Sequence, residues 1–118
     1  MSFTFTTSEM CKIAAGANTS EGDILGSQFD DWSDKAENEI CSIAAFDCIT
    51  NYGSLTDPGK RILGMMEDSI IGQLIINYDP GAIGVSEAKL RLNFLDDKYN
   101  KMKQLINDKN IRNYLAIT

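Results

Sequence analysis

The segment from Ser86 to about Asn107 constrains this chain most. Apolar residues recur there at Ala88, Leu92, Leu95, Tyr99, Met102 and Leu105/Ile106, with lysines and acids between them. Spacings of three and four draw one apolar stripe along a helix. Ser86 is an N-cap residue, preceded by Val85. A single stripe on a long helix must be covered by other elements, so the chain has to fold helix against helix. The segment then runs into a short apolar tail, Tyr114-Leu115-Ala116-Ile117-Thr118. Such a tail must dock either on this chain or on another.

The rest of the sequence supplies the partner helices. Ser8 to about Ala17 reads as a short first helix, with Ser8 as N-cap, Glu9 in the first turn and Met10, Ile13, Ala14 and Ala17 on one face. Ala17 to Ser27 is polar and glycine-dotted, a loop with room for one turn near Asp23 to Leu25. A second helix is predicted from about Phe29 to Asn51, on the spacing of Phe29, Trp32, Ala36, Ile40, Ile43/Ala44 and Cys48. Gly53 is the expected stop. Asp57-Pro58 opens a third helix, Asp as N-cap and Pro in the first turn. Its residues Ile62, Met65/Met66, Ile70, Ile71, Leu74, Ile75 and Ile76 leave little polar face, which predicts the central, most buried element. Gly64 and Gly72 lie on roughly one side of it and imply close approach of another backbone. Asp79-Pro80-Gly81 is turn chemistry. Asn107-Asp108 caps a last short helix through about Tyr114. Phe3-Thr4-Phe5 alternates like a strand but is too short to build a sheet. The predicted fold is all-α: one domain over residues 1–118, four to five helices with a long penultimate one, an N-terminal arm at 1–7 and a tail at 108–118.

Charge is distributed unevenly. Residues 1–59 hold two bases and ten acids, net −8, whereas residues 60–118 hold nine bases and seven acids, net +2. The acids either solvate an exposed face or face the bases of a neighbouring copy in a head-to-tail contact, which closes into a ring if the rotation permits. An acidic chain is poorly suited to bind bare phosphate backbone. Lys89, Arg91, Lys98, Lys101 and Lys103 on the fourth helix superficially suit a helix-turn-helix reader, but Glu87, Asp96 and Asp97 share that helix and read as surface pairing. No stretch reaches the roughly 18 consecutive apolar residues of a membrane span. The opening Met1-Ser2-Phe3-Thr4-Phe5 lacks the pattern of a signal peptide, so a cytosolic product is expected.

No catalytic signature is present. There is no histidine, hence no Cys/His or Ser/His pair, and neither a phosphate-binding nor a dinucleotide-binding glycine motif occurs. Asp30, Asp31 and Asp34 lack the spacing and closing glutamate of a calcium loop. Neither a metal nor another cofactor is expected. Cys11, Cys41 and Cys48 read as small buried hydrophobes. On one continuous helix Cys41 and Cys48 would stand about 10 Å apart, too far for a disulfide.

A short helix, a polar loop, a long helix carrying Ala36-Glu37-Asn38-Glu39-Ile40, a Pro-started apolar helix from Pro58 to Tyr78 and a last helix with a tail together resemble the head-to-tail connector adaptors of tailed viruses. The resemblance spans about Ser8 to Leu115 and rests on helix order and style. It implies a virion protein of the neck, made in the host cytoplasm, that forms a homo-oligomeric and roughly twelvefold ring. That ring sits beneath the portal protein, joins it to a downstream tail or stopper protein and passes DNA through its lumen without specific binding. No membrane is involved. It also implies that Asn110 to Thr118 reaches the portal, with Ile111, Tyr114, Leu115 and Ile117 as anchors. The expected contacts between subunits pair Asp30, Asp31 and Asp34 with Lys60, Arg61 or Lys98 of the neighbour. The alternative to an adaptor is a small acidic regulatory protein that binds its partner as a monomer or dimer.

Overall fold

The computed structural model describes residues 3–16, 24–79 and 84–117. The fold is an all-α bundle of five helices: α1 (Ser8–Ala15), α2 (Gly26–Ala44), α3 (Asp57–Tyr78), α4 (Val85–Asn107) and α5 (Lys109–Leu115). A 3-10 turn at Tyr52–Ser54 leads into α3. The described residues contain no strand, and Phe3-Thr4-Phe5 is an irregular arm.

α3 is the central element and packs against all four other helices. Its uniform apolar composition is the cause, since no face of it can be left in water without cost. Phe5 carbonyl oxygen lies 2.9 Å from where a Cβ on Gly64 would sit, and the backbone nitrogen of Ala15 lies 3.4 Å from the same point on Gly72. Both expected backbone approaches are therefore present. A third, at Gly59, was not legible in the sequence: the Leu115 carbonyl oxygen comes to 2.6 Å of its Cβ position.

Two clusters of buried side chains form the core. The first joins Phe5, Ile40, Ala44, Leu55, Leu63, Met66, Ile106, Leu115 and Ile117. The second joins Cys11, Ala15, Phe29, Ala36, Ile71, Ile75, Ala88 and Leu95. α2 runs from the second cluster to the first, and α3 runs from the first to the second, so the two helices are antiparallel. The stripes of α2 and α4 face inward as expected, with Ala36, Ile40, Ala88, Leu95 and Ile106 buried.

Helix ends differ from expectation where no glycine marks them. α2 stops at Ala44, seven residues before the predicted end. Ala45 takes the left-handed conformation at φ 52°, its N–H meets the Ser42 carbonyl and the Phe46 N–H meets the Cys41 carbonyl at 3.2 Å. This is a Schellman turn built on alanine. α5 ends in the same way: Ala116 has φ 64° and the Ile117 N–H bonds the Arg112 carbonyl at 3.0 Å. Left-handed alanine costs about 1–2 kcal/mol. Burial of the residue that follows, Phe46 partly and Ile117 completely, offsets it. One consequence is that Cys48 lies beyond the helix with its thiol hydrogen-bonded to Cys41 rather than two turns from it, and all three cysteines are free thiols. The N-cap residues also shift. Thr7 and Thr56 cap α1 and α3 through their side chains, in place of Ser8 and Asp57, and Gly84 rather than Ser86 precedes α4. Asp108 caps α5 as predicted, accepting from the Asn110 and Ile111 N–H groups. The predicted loop between α1 and α2 falls largely on residues 17–23, and the Pro80-Gly81 turn on residues 80–83; both lie outside the described residues.

Candidate functional site

Two of the four expected anchors of the docking tail are core residues. Leu115 and Ile117 are buried in the first cluster, so in this conformation neither is available to a partner. The cause is the Schellman turn after α5, which folds Ile117 back over the helix end, together with the Thr56 N–H that bonds the Leu115 carbonyl at 3.3 Å. Ile111 packs half-buried against the same cluster. Tyr114 alone of the four points outward, 68% exposed.

The candidate contact charges fall at opposite ends of the bundle. Asp30, Asp31 and Asp34 are exposed on the first turns of α2, beside the second cluster. Lys60 and Arg61 stand on the first turns of α3, beside the first cluster. Ser33 of α2 meets Glu67 of α3 and the two helices are antiparallel, so roughly 10–20 Å of helix lies between the two sets, least for Asp34 and most for Asp30. They therefore do not pair within the chain. Asp31 bonds Lys35 one turn on, at 3.0 Å. Lys60 lies over the Tyr52 ring, 5.4 Å from its centre. Lys98 belongs to neither end; it is half-buried on α4, where its charge acts on Asp68. Lys60 and Arg61 border a groove of about 380 Å³ lined also by Phe5, Tyr52, Met65 and Asp68. A separate exposed apolar pair, Leu90 and Phe94, lies one turn apart on α4.

The most unusual chemistry was not anticipated from the sequence. Glu37 of α2 and Glu67 of α3 are both fully buried. The N-terminal arm closes over them through its backbone. Thr4 and Phe5 N–H donate to Glu37 Oε2 at 2.7 and 3.0 Å. Phe3 N–H donates to Ser33 Oγ at 2.7 Å, and Ser33 Oγ donates to Glu67 Oε2 at 2.6 Å. Glu37 Oε1 and Glu67 Oε1 receive no donor from any other described group. The Glu67 carboxyl also engages that of Glu37 in a side-chain hydrogen bond, which requires a proton on one of them. Burial, and then the hydrogen bond to Glu37, push the Glu67 carboxyl up to about 9. Asp68, next on α3, is raised by burial, while the hydroxyl of Thr6, the thiol of Cys11 and the charge of Lys98 pull the other way. Thr6 donates to Asp68 Oδ1 at 2.5 Å. A sequence signal for this site existed. Glu37 occupies the inward face one turn from Ser33 and beside Ile40, and Glu67-Asp68 interrupts an otherwise apolar helix.

Among the described residues no group of three or more potential ligands gathers to hold a metal, and no helix is long and apolar enough to cross a membrane. Comparison with protein-family models, with curated proteins and with solved structures gives no match.

Proposed function

We propose that this chain is a structural binding protein, not an enzyme, that assembles head to tail with copies of itself, and that it serves as a ring-forming adaptor between the portal and the tail of a virion. The observation that carries the reading is the separation of charge. Acids at the start of α2 and bases at the start of α3 form no ion pair with each other; the three aspartates and Arg61 are exposed, and Lys60 is half-buried over the Tyr52 ring. Such a surface is self-complementary only between successive subunits, the heterologous geometry that generates rings. Lys98 drops out of this contact, leaving Lys60 and Arg61 as the basic partners. Portal docking through the tail rests on Tyr114, its exposed side chain. DNA passage follows from the ring, an acidic lumen discouraging phosphate from sticking.

Light scattering at low and high concentration and at two salt levels tests the assembly. A large discrete particle that weakens with salt is expected. The charge-reversed variants Asp30→Lys/Asp31→Lys/Asp34→Lys and Lys60→Glu/Arg61→Glu should each lose self-assembly. A salt-indifferent monomer or dimer that neither variant alters overturns charge-matched assembly. That result favours the second reading, a small regulatory binding protein, for which the exposed Leu90 and Phe94 pair on α4 supplies an apolar contact surface.

A further inference from the structure

We propose that the N-terminal arm, Phe3 to Thr7, is a proton-operated latch: it stays docked while Glu37 and Glu67 share one proton, and its opening releases that proton. The geometry carries the argument. Three successive N–H groups of the arm end on one polar cluster, two on Glu37 and one on Ser33. Ser33 in turn donates to Glu67 beneath them, and Glu67 Oε1, like Glu37 Oε1, is buried with no donor among the described groups. Two ionised carboxylates cannot occupy such an enclosed position without mutual repulsion and lost hydration. The docked state therefore holds a proton that a hydrated pair gives up at neutral pH.

Among the described residues, the groups facing the pair supply no compensating cation. The arm contributes only phenylalanine and threonine. α1 contributes the buried Cys11 thiol, held protonated by burial and by the charges of Asp68 and Glu67. The 3-10 turn contributes Tyr52, raised by burial and by both glutamates. α3 contributes Asp68, and α4 contributes Lys98, which acts on Asp68. Among the described residues no Lys or Arg forms an ion pair with Glu37 or Glu67.

Opening has structural consequences. Phe5 leaves the first core cluster and its stacking on Tyr52, where the ring centres are 5.7 Å apart. The wall of the groove bordered by Lys60 and Arg61 goes with it. Since one proton leaves, the open fraction rises up to tenfold per pH unit between the ordinary glutamate range and the raised value of Glu67. The raised value of Glu67 places this response across neutral pH.

Amide hydrogen exchange of Thr4 and Phe5 in the full chain, read as protection factors from pH 6 to 8, tests this. Protection in the wild type should fall up to tenfold per pH unit, while remaining below that of the core amides Ile71 and Ile75. Glu67→Gln keeps a donor toward Glu37 but has no proton to lose, so its arm protection should not depend on pH. The Glu67 side-chain carbonyl carbon, followed by NMR in the wild type, should titrate near 9. Arm protection independent of pH, protection equal to that of the core, or titration of Glu67 in the ordinary carboxylate range each overturns the latch. The last two readouts need no variant and stand even where the Gln substitution does not fold.

Discussion

Replacing Ile117 by alanine removes a side chain that is fully enclosed by its own subunit. Its neighbours come from the arm, α2, α3 and α4: Phe5, Ile40, Leu63, Met66 and Ile106 belong to the same cluster. A truncation of this kind loses the transfer free energy of the deleted carbons and leaves a cavity that surrounding helices fill incompletely. For a buried isoleucine the cost is about 3 kcal/mol, within a range of roughly 2–5. A domain of this size holds on the order of 6–15 kcal/mol in total, so the loss is a large share. With a urea slope of about 1.5 kcal/mol per M, the unfolding midpoint should drop by about 2 M. Urea titration followed by the fluorescence of Trp32, which packs edge-on against Phe29, measures it. Tyr114→Ala is the control, since that ring is exposed and its loss should stay within about 0.5 kcal/mol. An Ile117→Ala protein that unfolds with the wild type would refute the reasoning. The tail would then be free of the core in solution, and Leu115 and Ile117 would return as docking anchors.

Three further outcomes are expected. Gly64→Ala places a methyl 2.9 Å from the Phe5 carbonyl, so it should detach the arm or cost about 1–3 kcal/mol, visible as a lower midpoint and lost protection at Phe5. Arg112→Ala removes the guanidinium whose Nη1 donates to the Ala44 and Ile106 carbonyls, uniting the ends of α2 and α4, and should lower stability by about 1–3 kcal/mol in thermal or urea unfolding. Stability should also decline with rising pH. The folded Glu67 binds a proton more tightly than the unfolded chain does, so its contribution is complete below the ordinary glutamate range and lost progressively as pH climbs toward 9. The slope is at most about 1.4 kcal/mol per pH unit, and urea midpoints at pH 6, 7 and 8 should show it in the wild type and not in Glu67→Gln.

Much of the bundle was legible before any coordinates. Stripes on α2 and α4 and the near-uniform apolar sequence of α3 dictate helix-on-helix packing with α3 in the centre, because burial follows from composition and spacing alone. The side-chain cap of Asp108 on α5 is equally local. The early end of α2 was not readable. Ala45 and Ala116 carry no mark of the left-handed conformation they adopt; what selects it is the burial of Phe46 and Ile117 against residues far away in the chain. The same holds for the tail, whose apolar residues announced a docking event without saying on which surface.

The acidic site divides along this line. Charged residues at inward positions, Glu37 on α2 and Glu67 on α3, were visible in the sequence, which also fixed the separation of acidic and basic halves. Only the tertiary structure brought the two carboxyls together and closed the arm's N–H groups over them. Helix periodicity is a property of neighbours three and four residues apart, and the sequence contains it completely. A shared proton depends on groups 30 residues apart or more meeting away from water, and that meeting exists only once the chain has folded.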